Sequence, residues 1–241
     1  CSRVLFRSNS AWAAERILAS IRSQYQVPVT HVVNTHDHVD HSLGNSVYAR
    51  AGITIVGAAG QRRELLEKGP HDAIVQTGEV PERFYPPTLE FKGTMMFYEP
   101  TLHLTSVGPA HSEADVIAWL PDDRILFVGD LAVAWEHGNN FSDDDADIER
   151  WIQVLDDCIA LEPRVVIPAH GRLSRVEDLV EQRDFMRDLW NAARGVAAGE
   201  ASESDFRSGA LAERLIATYP DYAVDAHRVE EMAEAMLEAA R

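Results

Sequence analysis

The sequence predicts an α/β fold, a layered α/β domain followed by helices, from three features of its patterning. Short β-branched runs alternate with helical repeats as far as Glu67, four strand-like runs fill the middle, and from Val176 onward every apolar stripe has helical spacing. The 241 residues can bury a substantial core, and 46% apolar with 25% charged residues is an ordinary globular composition, which excludes a disordered or fibrous chain. Lys and Arg number 22 against 39 acids, a formal charge of −17, so the surface field repels phosphate backbones and disfavours a nucleic-acid partner. The longest apolar runs, such as Ile53 to Ala59, are far too short to cross a bilayer, so no membrane partner is expected. Cys1 and Cys158 supply neither a disulfide framework nor a cysteine-rich zinc site.

Ser10 can cap a helix whose apolar positions are Trp12, Ile17, Leu18 and Ile21. Val27 to Val33 is β-branched and reads as a buried strand, ending in a histidine-dense loop from Asn34 to Ser42. Leu43 to Arg50 reads as helix, Ile53 to Val56 as strand, Ala59 to Glu67 as helix, and Gly69 to Pro87 as irregular. Strands are predicted at Thr94–Tyr98, Leu102–Val107, Val116–Leu120 and Ile125–Val128, the last two joined by a turn at Pro121 to Arg124. Ile148, Trp151, Ile152, Leu155, Cys158 and Ile159 mark one helix face, which makes Cys158 a core residue, and Arg164 to Ile167 reads as strand. Helical stripes come next at Val176–Ala193, Leu211–Ile216 and Val229–Leu237, with a loop at Ala197 to Ser204. Two domains are expected, a layered α/β domain over 1–172 and a helical extension over 173–241. The chain begins with Cys1, without a charged-then-apolar leader, and Val4 to Ser8 is also what one frame of a common sequencing adapter encodes. A fragment is therefore expected, and the compartment is left open between cytoplasm and periplasm.

The loop Thr35-His36-Asp37-His38-Val39-Asp40-His41 crowds imidazoles and carboxylates that are costly to pack unless a cation orders them. In a loop, ligands two apart can face one side, so His36 and His38 can grip one ion while Asp40 and His41 turn towards another. Further ligands should sit at strand ends. His111 comes after the strand ending at Val107, Asp130 ends Phe127-Val128-Gly129-Asp130, and His170 ends Val166-Ile167-Pro168-Ala169-His170. Each lies at the carboxyl end of an apolar run, where a sheet presents side chains to a crevice.

This combination, HxHxDH at 36–41 with His111, Asp130 and His170 in that order and context, resembles the metallo-β-lactamase superfamily of metal-dependent hydrolases from about Pro28 to Gly171. The resemblance implies a four-layer αββα sandwich, here N-terminally truncated, because the family places several strands before the first helix. It further implies two Zn2+ per chain. His36, His38 and His111 would bind the first, Asp40, His41 and His170 the second, and Asp130 would bridge. Two such ions held about 3.5–4 Å apart share a water and lower its pKa towards about 7, giving a hydroxide that attacks a carbonyl. Asp40 is also expected to steer that nucleophile, as the catalytic carboxylate. Glu113 and Asp115 read either as orienters of the ligands or as a solvated polar turn. His31, His71, His103 and His227 read as structural or surface residues. His137 is a candidate for the pocket mouth, and Trp135, Phe141, Phe84 and Tyr85 for an apolar substrate wall or ordinary packing.

Within the superfamily, flavodiiron enzymes carry glutamate where this chain has His38. One zinc β-lactamase subgroup has cysteine at the Asp130 position and lysine three residues later, where this chain has Val133, and another lacks the bridging acid. Glyoxalase II shares the aspartate bridge but anchors glutathione with Lys and Tyr beyond it, and Val133 to Ser142 contains neither. The nuclease branches prefer basic surfaces. The remaining reading is a glyoxalase-II-like or lactonase-like dinuclear zinc hydrolase of a small ester, thioester, lactone or β-lactam, a small-molecule acyl substrate. Its C-terminal helices would cap the site or make a homodimer contact. The alternative is a mono-iron persulfide dioxygenase with almost the same ligands, in which Fe replaces zinc.

Overall fold

The computed structural model describes residues 10–133, 141, 145–222 and 225–241, and the backbone of 4–6. The chain divides into two compact units, Cys1–Val107 with Glu113–Asp122, and Gly108–Ser112 with Asp123–Arg241.

The first unit contains β1 (Val4–Phe6), α1 (Ala11–Tyr25), β2 (His31–Val33), α2 (Val39–Ser42), α3 (Asn45–Arg50) and β3 (Thr54–Ala58). It continues through α4 (Gln61–Glu67), α5 (Gly69–Thr77), β4 (Leu89–Phe91), β5 (Thr94–Phe97), β6 (Leu102–Ser106) and β7 (Val116–Leu120). Strands β1 to β4 form a parallel sheet in chain order. Parallel neighbours require crossovers, and helices supply each of them. Helix α1 is capped as expected, the Ala13 N–H donating to Ser10 Oγ at 3.3 Å. Its Ala14 and Leu18 pack with Val32, Tyr48, Ile53 and Ile55. Trp12 departs from the predicted stripe: it is 68% exposed. The Arg16 guanidinium, one turn on, covers its ring at 4.9 Å. Strands β5, β6 and β7 form an antiparallel meander, with Met95 opposite Leu104 and Leu104 opposite Ala118.

Three further local expectations need correction. The strand predicted from Val27 starts only at His31. The histidine loop closes with a helical turn, α2. The supposedly irregular Gly69 to Pro87 begins with helix α5, because Pro70 falls in the first turn, where its missing N–H costs nothing. The three-residue strands β1 and β4 are too short for any alternation to show.

The second unit contains β8 (Ile125–Gly129), α6 (Ile148–Ala160), β9 (Val165–Pro168), α7 (Val176–Ala197), α8 (Glu203–Phe206), α9 (Ala210–Thr218) and α10 (Ala226–Ala239). Strands β8 and β9 pair in parallel from Ile125 opposite Val165 to Gly129 opposite Pro168. Asp147 caps the crossover helix α6, accepting from the Arg150 N–H at 2.9 Å. The α6 face of Ile148, Trp151, Leu155 and Cys158 is buried as predicted. Burial, then the neighbouring Asp157 charge, pushes the Cys158 thiol up to about 12, so it stays protonated in the core. Helix α7 packs on α6 and α10 and buries Leu179, Phe185, Met186 and Leu189. The expected 197–204 loop ends in the short α8. Among the described residues, no helix is long and apolar enough to cross a membrane.

One buried amide fixes the segment after β8. Gln182 Nε2 donates to the Leu131 carbonyl at 2.7 Å, and its Oε1 accepts from the Val133 N–H at 3.3 Å. Trp151 Nε1 donates to the same Leu131 carbonyl at 2.9 Å. Gln182→Leu leaves the buried Val133 N–H without its acceptor and should destabilise the protein by about 1–3 kcal/mol in urea unfolding. At the start of α7, burial raises the Asp178 carboxyl, but hydrogen bonds from Arg172 and from the Arg175 N–H outweigh it and hold the group below its ordinary 3.8. A depressed carboxylate stabilises the fold above its unfolded value and loses that contribution as pH falls through the folded one. Asp178→Asn should therefore lower stability at pH 7, with the difference from wild type shrinking below about pH 4 in pH-dependent unfolding.

Candidate metal centre

In the first unit, β2 carries the buried Val32 and Val33 straight into the histidine loop. The loop base is held on two sides: the Asn34 N–H donates to the Val56 carbonyl at 2.9 Å, and the Thr35 carbonyl accepts from the Val116 N–H at 2.7 Å. Gln61, fully buried on α4, donates from Nε2 to the carbonyls of Asn34 at 3.3 Å and Ala114 at 2.7 Å. His38 stands at the N-cap of α2, so the chain turns within four residues and brings His41 back over His36. The rings of His36 and His41 lie 4.0 Å apart, and those of His36 and His38 meet edge-to-face at 4.6 Å. Ligand atoms of His36 and His38, of His36 and His41, and of Asp40 and His41 lie within 4.8 Å of each other. Asp40 Oδ2 is 2.9 Å from His41 Nε2, and the Asp40 side chain keeps a third of its surface exposed.

Thr35 was not singled out by its sequence, yet its Oγ1 lies 3.2 Å from His36 Nδ1 and 3.4 Å from His41 Nδ1. A hydroxyl oxygen has two lone pairs and can accept from both Nδ1–H groups, the tautomer that leaves both Nε2 lone pairs for a cation. Ser42 Oγ donates to the carbonyls of Asp37 at 3.1 Å and His38 at 3.0 Å, bracing the same bend.

The second unit supplies three more donors. Strands β8 and β9 end side by side, and the chain leaves each through a glycine neighbour at positive φ, Gly129 at +57° before Asp130 and Gly171 at +96° after His170. Asp130 Oδ2 sits 3.4 Å from His170 Nε2 and 3.9 Å from His111 Nε2, a carboxylate between two imidazoles. The His111 segment is tethered to α6, since the Asp147 N–H donates to the Ala110 carbonyl at 2.9 Å, and the His111 ring meets Trp151 edge-on at 5.1 Å. Trp151, predicted only as helix core, is thus both a wall and a hydrogen-bonding tether.

The other candidates have more ordinary surroundings. Glu113 reaches Arg63 at 3.5 Å on the surface, and Asp115 is buried, its carbonyl accepting from the Val107 N–H. His31 pairs with Thr30 at 2.8 Å and meets Phe97 edge-on. His103 stands on β6 opposite Trp119, while His71 and His227 are exposed beside Asp72 and Glu231. Phe84 packs on Val39, Leu65 and Ala73, Tyr85 packs on the α1 core, and Phe141 is buried against Trp151 at 5.4 Å. Trp135 and His137 lie outside the described residues.

Comparison with known proteins adds family and fold. The family model described as metallo-beta-lactamase superfamily matches residues 9–170. The chain is 34% identical over 112 residues to a hydroxyacylglutathione hydrolase of Methylococcus capsulatus, covering 46% of this chain and 37% of that protein. It is 23% identical over 191 residues to a metallo-beta-lactamase type 2 of a Bacillus species, covering 77% of this chain and 70% of that protein. The structure of FIM-1 from Pseudomonas aeruginosa in its mono-zinc form matches with TM-score 0.64 at 20% identity, covering 77% of this chain and 78% of the other. A metallo-beta-lactamase from Pontibacter korlensis matches with TM-score 0.59 at 22% identity over 77% of this chain and 82% of that one. The donor-bearing loop, the strand-end residues and the match over residues 9–170 place this chain in the metallo-β-lactamase superfamily, with that family's α/β fold and C-terminal helices beyond it.

Proposed function

We propose that the protein is a dinuclear zinc-dependent hydrolase of a small acyl substrate: an ester, thioester, lactone or β-lactam. The observation that carries this reading is the loop at 36–41, where three imidazoles and a carboxylate converge and two of the imidazoles, His36 and His41, share the Thr35 hydroxyl. Neutral imidazole nitrogens with carboxylate oxygens, and no thiolate, fit zinc or a similar divalent ion. In this reading His36, His38 and His111 hold one ion, Asp40, His41 and His170 a second, and Asp130 is shared. When bound, such a pair supplies a water acidic enough to be hydroxide near pH 7 and polarises a carbonyl oxygen.

The chain's own residues have distinct tasks. Thr35 fixes the tautomers of His36 and His41, and the Asp40 carboxylate, partly open to solvent, orients the nucleophile and can hold its proton. Val133 offers no cation to a substrate carboxylate, and the charge of −17 works against polyanionic substrates such as nucleic acids. Hydrolysis is favoured over the mono-iron dioxygenase reading because the Methylococcus and Bacillus relatives are both hydrolases by name. No membrane partner is proposed, and the C-terminal helices are left to cap the site or to pair two copies.

Metal analysis of the purified full chain should find about two zinc ions per chain. A chelator should remove them together with turnover of nitrocefin, an acyl-homoserine lactone or S-lactoylglutathione, and added zinc should restore it. Bound iron with oxygen consumption on a thiol persulfide would decide for the dioxygenase instead. His41→Ala should lower the zinc content to about one and turnover by more than about 100-fold, while far-UV circular dichroism stays that of wild type.

A further inference from the structure

Asn34 and Asn45 face each other across the base of the histidine loop, both essentially inaccessible to solvent. Asn45 Nδ2 donates to Asn34 Oδ1 at 2.9 Å and Asn34 Nδ2 donates to Asn45 Oδ1 at 3.2 Å, a reciprocal amide pair. Each nitrogen has one further N–H, and each is used. Asn34 donates it to the His41 carbonyl at 2.9 Å, and Asn45 donates it to the Tyr85 carbonyl at 2.8 Å. The carbonyl of Asn34 itself accepts from Gln61. Every donor of a four-donor buried network is therefore satisfied, which is the condition under which such a network rigidifies its surroundings.

The placement matters more than the bonds. Asn34 precedes the loop and His41 ends its row of donors, so the Asn34–His41 bond closes the loop on itself over a separation of seven residues. Asn45 then ties the closed loop to the 80–88 segment through Tyr85. Resting on the proposed metal reading, we infer that Asn34 and Asn45 act as one amide clasp that positions His41 relative to His36 before any cation binds. They are positioning residues: neither is a proposed ligand, and both act through the backbone of a residue that is. Isosteric loss of either amide breaks the pair, since an aspartate keeps the acceptor but has no N–H to donate.

The test uses the isosteric singles Asn34→Asp and Asn45→Asp, the uncharged Asn34→Ser and Asn45→Ser, and the double variant Asn34→Ser/Asn45→Ser, compared with the two serine singles, in the full chain. In the metal-free protein, exchange of the backbone amides of residues 36–43 should speed up by about tenfold or more, while those of 54–58 in β3 keep their protection. Zinc affinity, read by competition with a chromophoric chelator, should fall by about 10–100-fold, and the cobalt-substituted spectrum should change in band position. Because the amides form one unit, the double variant should lose no more affinity than the worse single one. If wild type binds zinc and the variants match it in affinity, spectrum and loop exchange, the clasp is overturned while the metal reading stands; additive losses in the double variant overturn it too. Should wild type bind no transition metal, the metal reading falls and the clasp with it. If the aspartate variants fail to fold, the serine variants decide by the same affinity and exchange criteria.

Discussion

The structure of the first unit answers one constraint: imidazoles and carboxylates are packed out of water at the end of a buried strand. His36 and His41 have no exposed surface and Asp37 has 4%. Polar groups in such a place cost several kcal/mol each unless they are hydrogen-bonded or neutralised. The chain braces the loop that carries them: Thr35 lies between two imidazoles, Ser42 donates to the carbonyls of Asp37 and His38, and the amides of Asn34, Asn45 and Gln61 tie the base. The parallel sheet is a consequence as much as a cause. Neighbouring β3 satisfies the Asn34 N–H and β7 the Thr35 carbonyl, so the loop leaves the sheet from a backbone already fixed.

The second unit meets the same demand by other means. Its donors are spread along the chain, and the register of β8 and β9 brings Asp130 and His170 to adjoining strand ends. Side chains from α6 and α7 then lock the chain beyond Asp130. Leu131 accepts from both Trp151 and Gln182, so this segment cannot shift without breaking two buried hydrogen bonds. Positioning by amides and indole, with the candidate metal donors free of that task, is common to both units.

Much of this was legible in the sequence because the relevant signals are local. The cluster at 36–41 is contiguous, α6 has an apolar stripe, and Ser10 is an ordinary cap. The features that were not legible have physical reasons for it. Asn34, Asn45, Gln61 and Gln182 are common polar residues whose partners lie as far as 53 positions away, and no periodicity marks a side chain that works by a single hydrogen bond. Trp12 fits the helical stripe by spacing, but the contact face of α1 is only as wide as Ala14 and Leu18. Helix α5 was hidden by Pro70, whose effect depends on its position in the first turn and not on its presence.

Position 133 shows how the same framework narrows substrate choice. In one zinc β-lactamase subgroup a lysine three residues past the bridging position meets the substrate carboxylate. Here that place holds Val133, 6% exposed, with its N–H given to Gln182 and its neighbour Leu131 bound to two helices. A lysine at this place would bring an ammonium to a position that is 6% exposed, at a desolvation cost. A carboxylate on the substrate must be met by some other residue, and an acyl compound that lacks one needs no such partner.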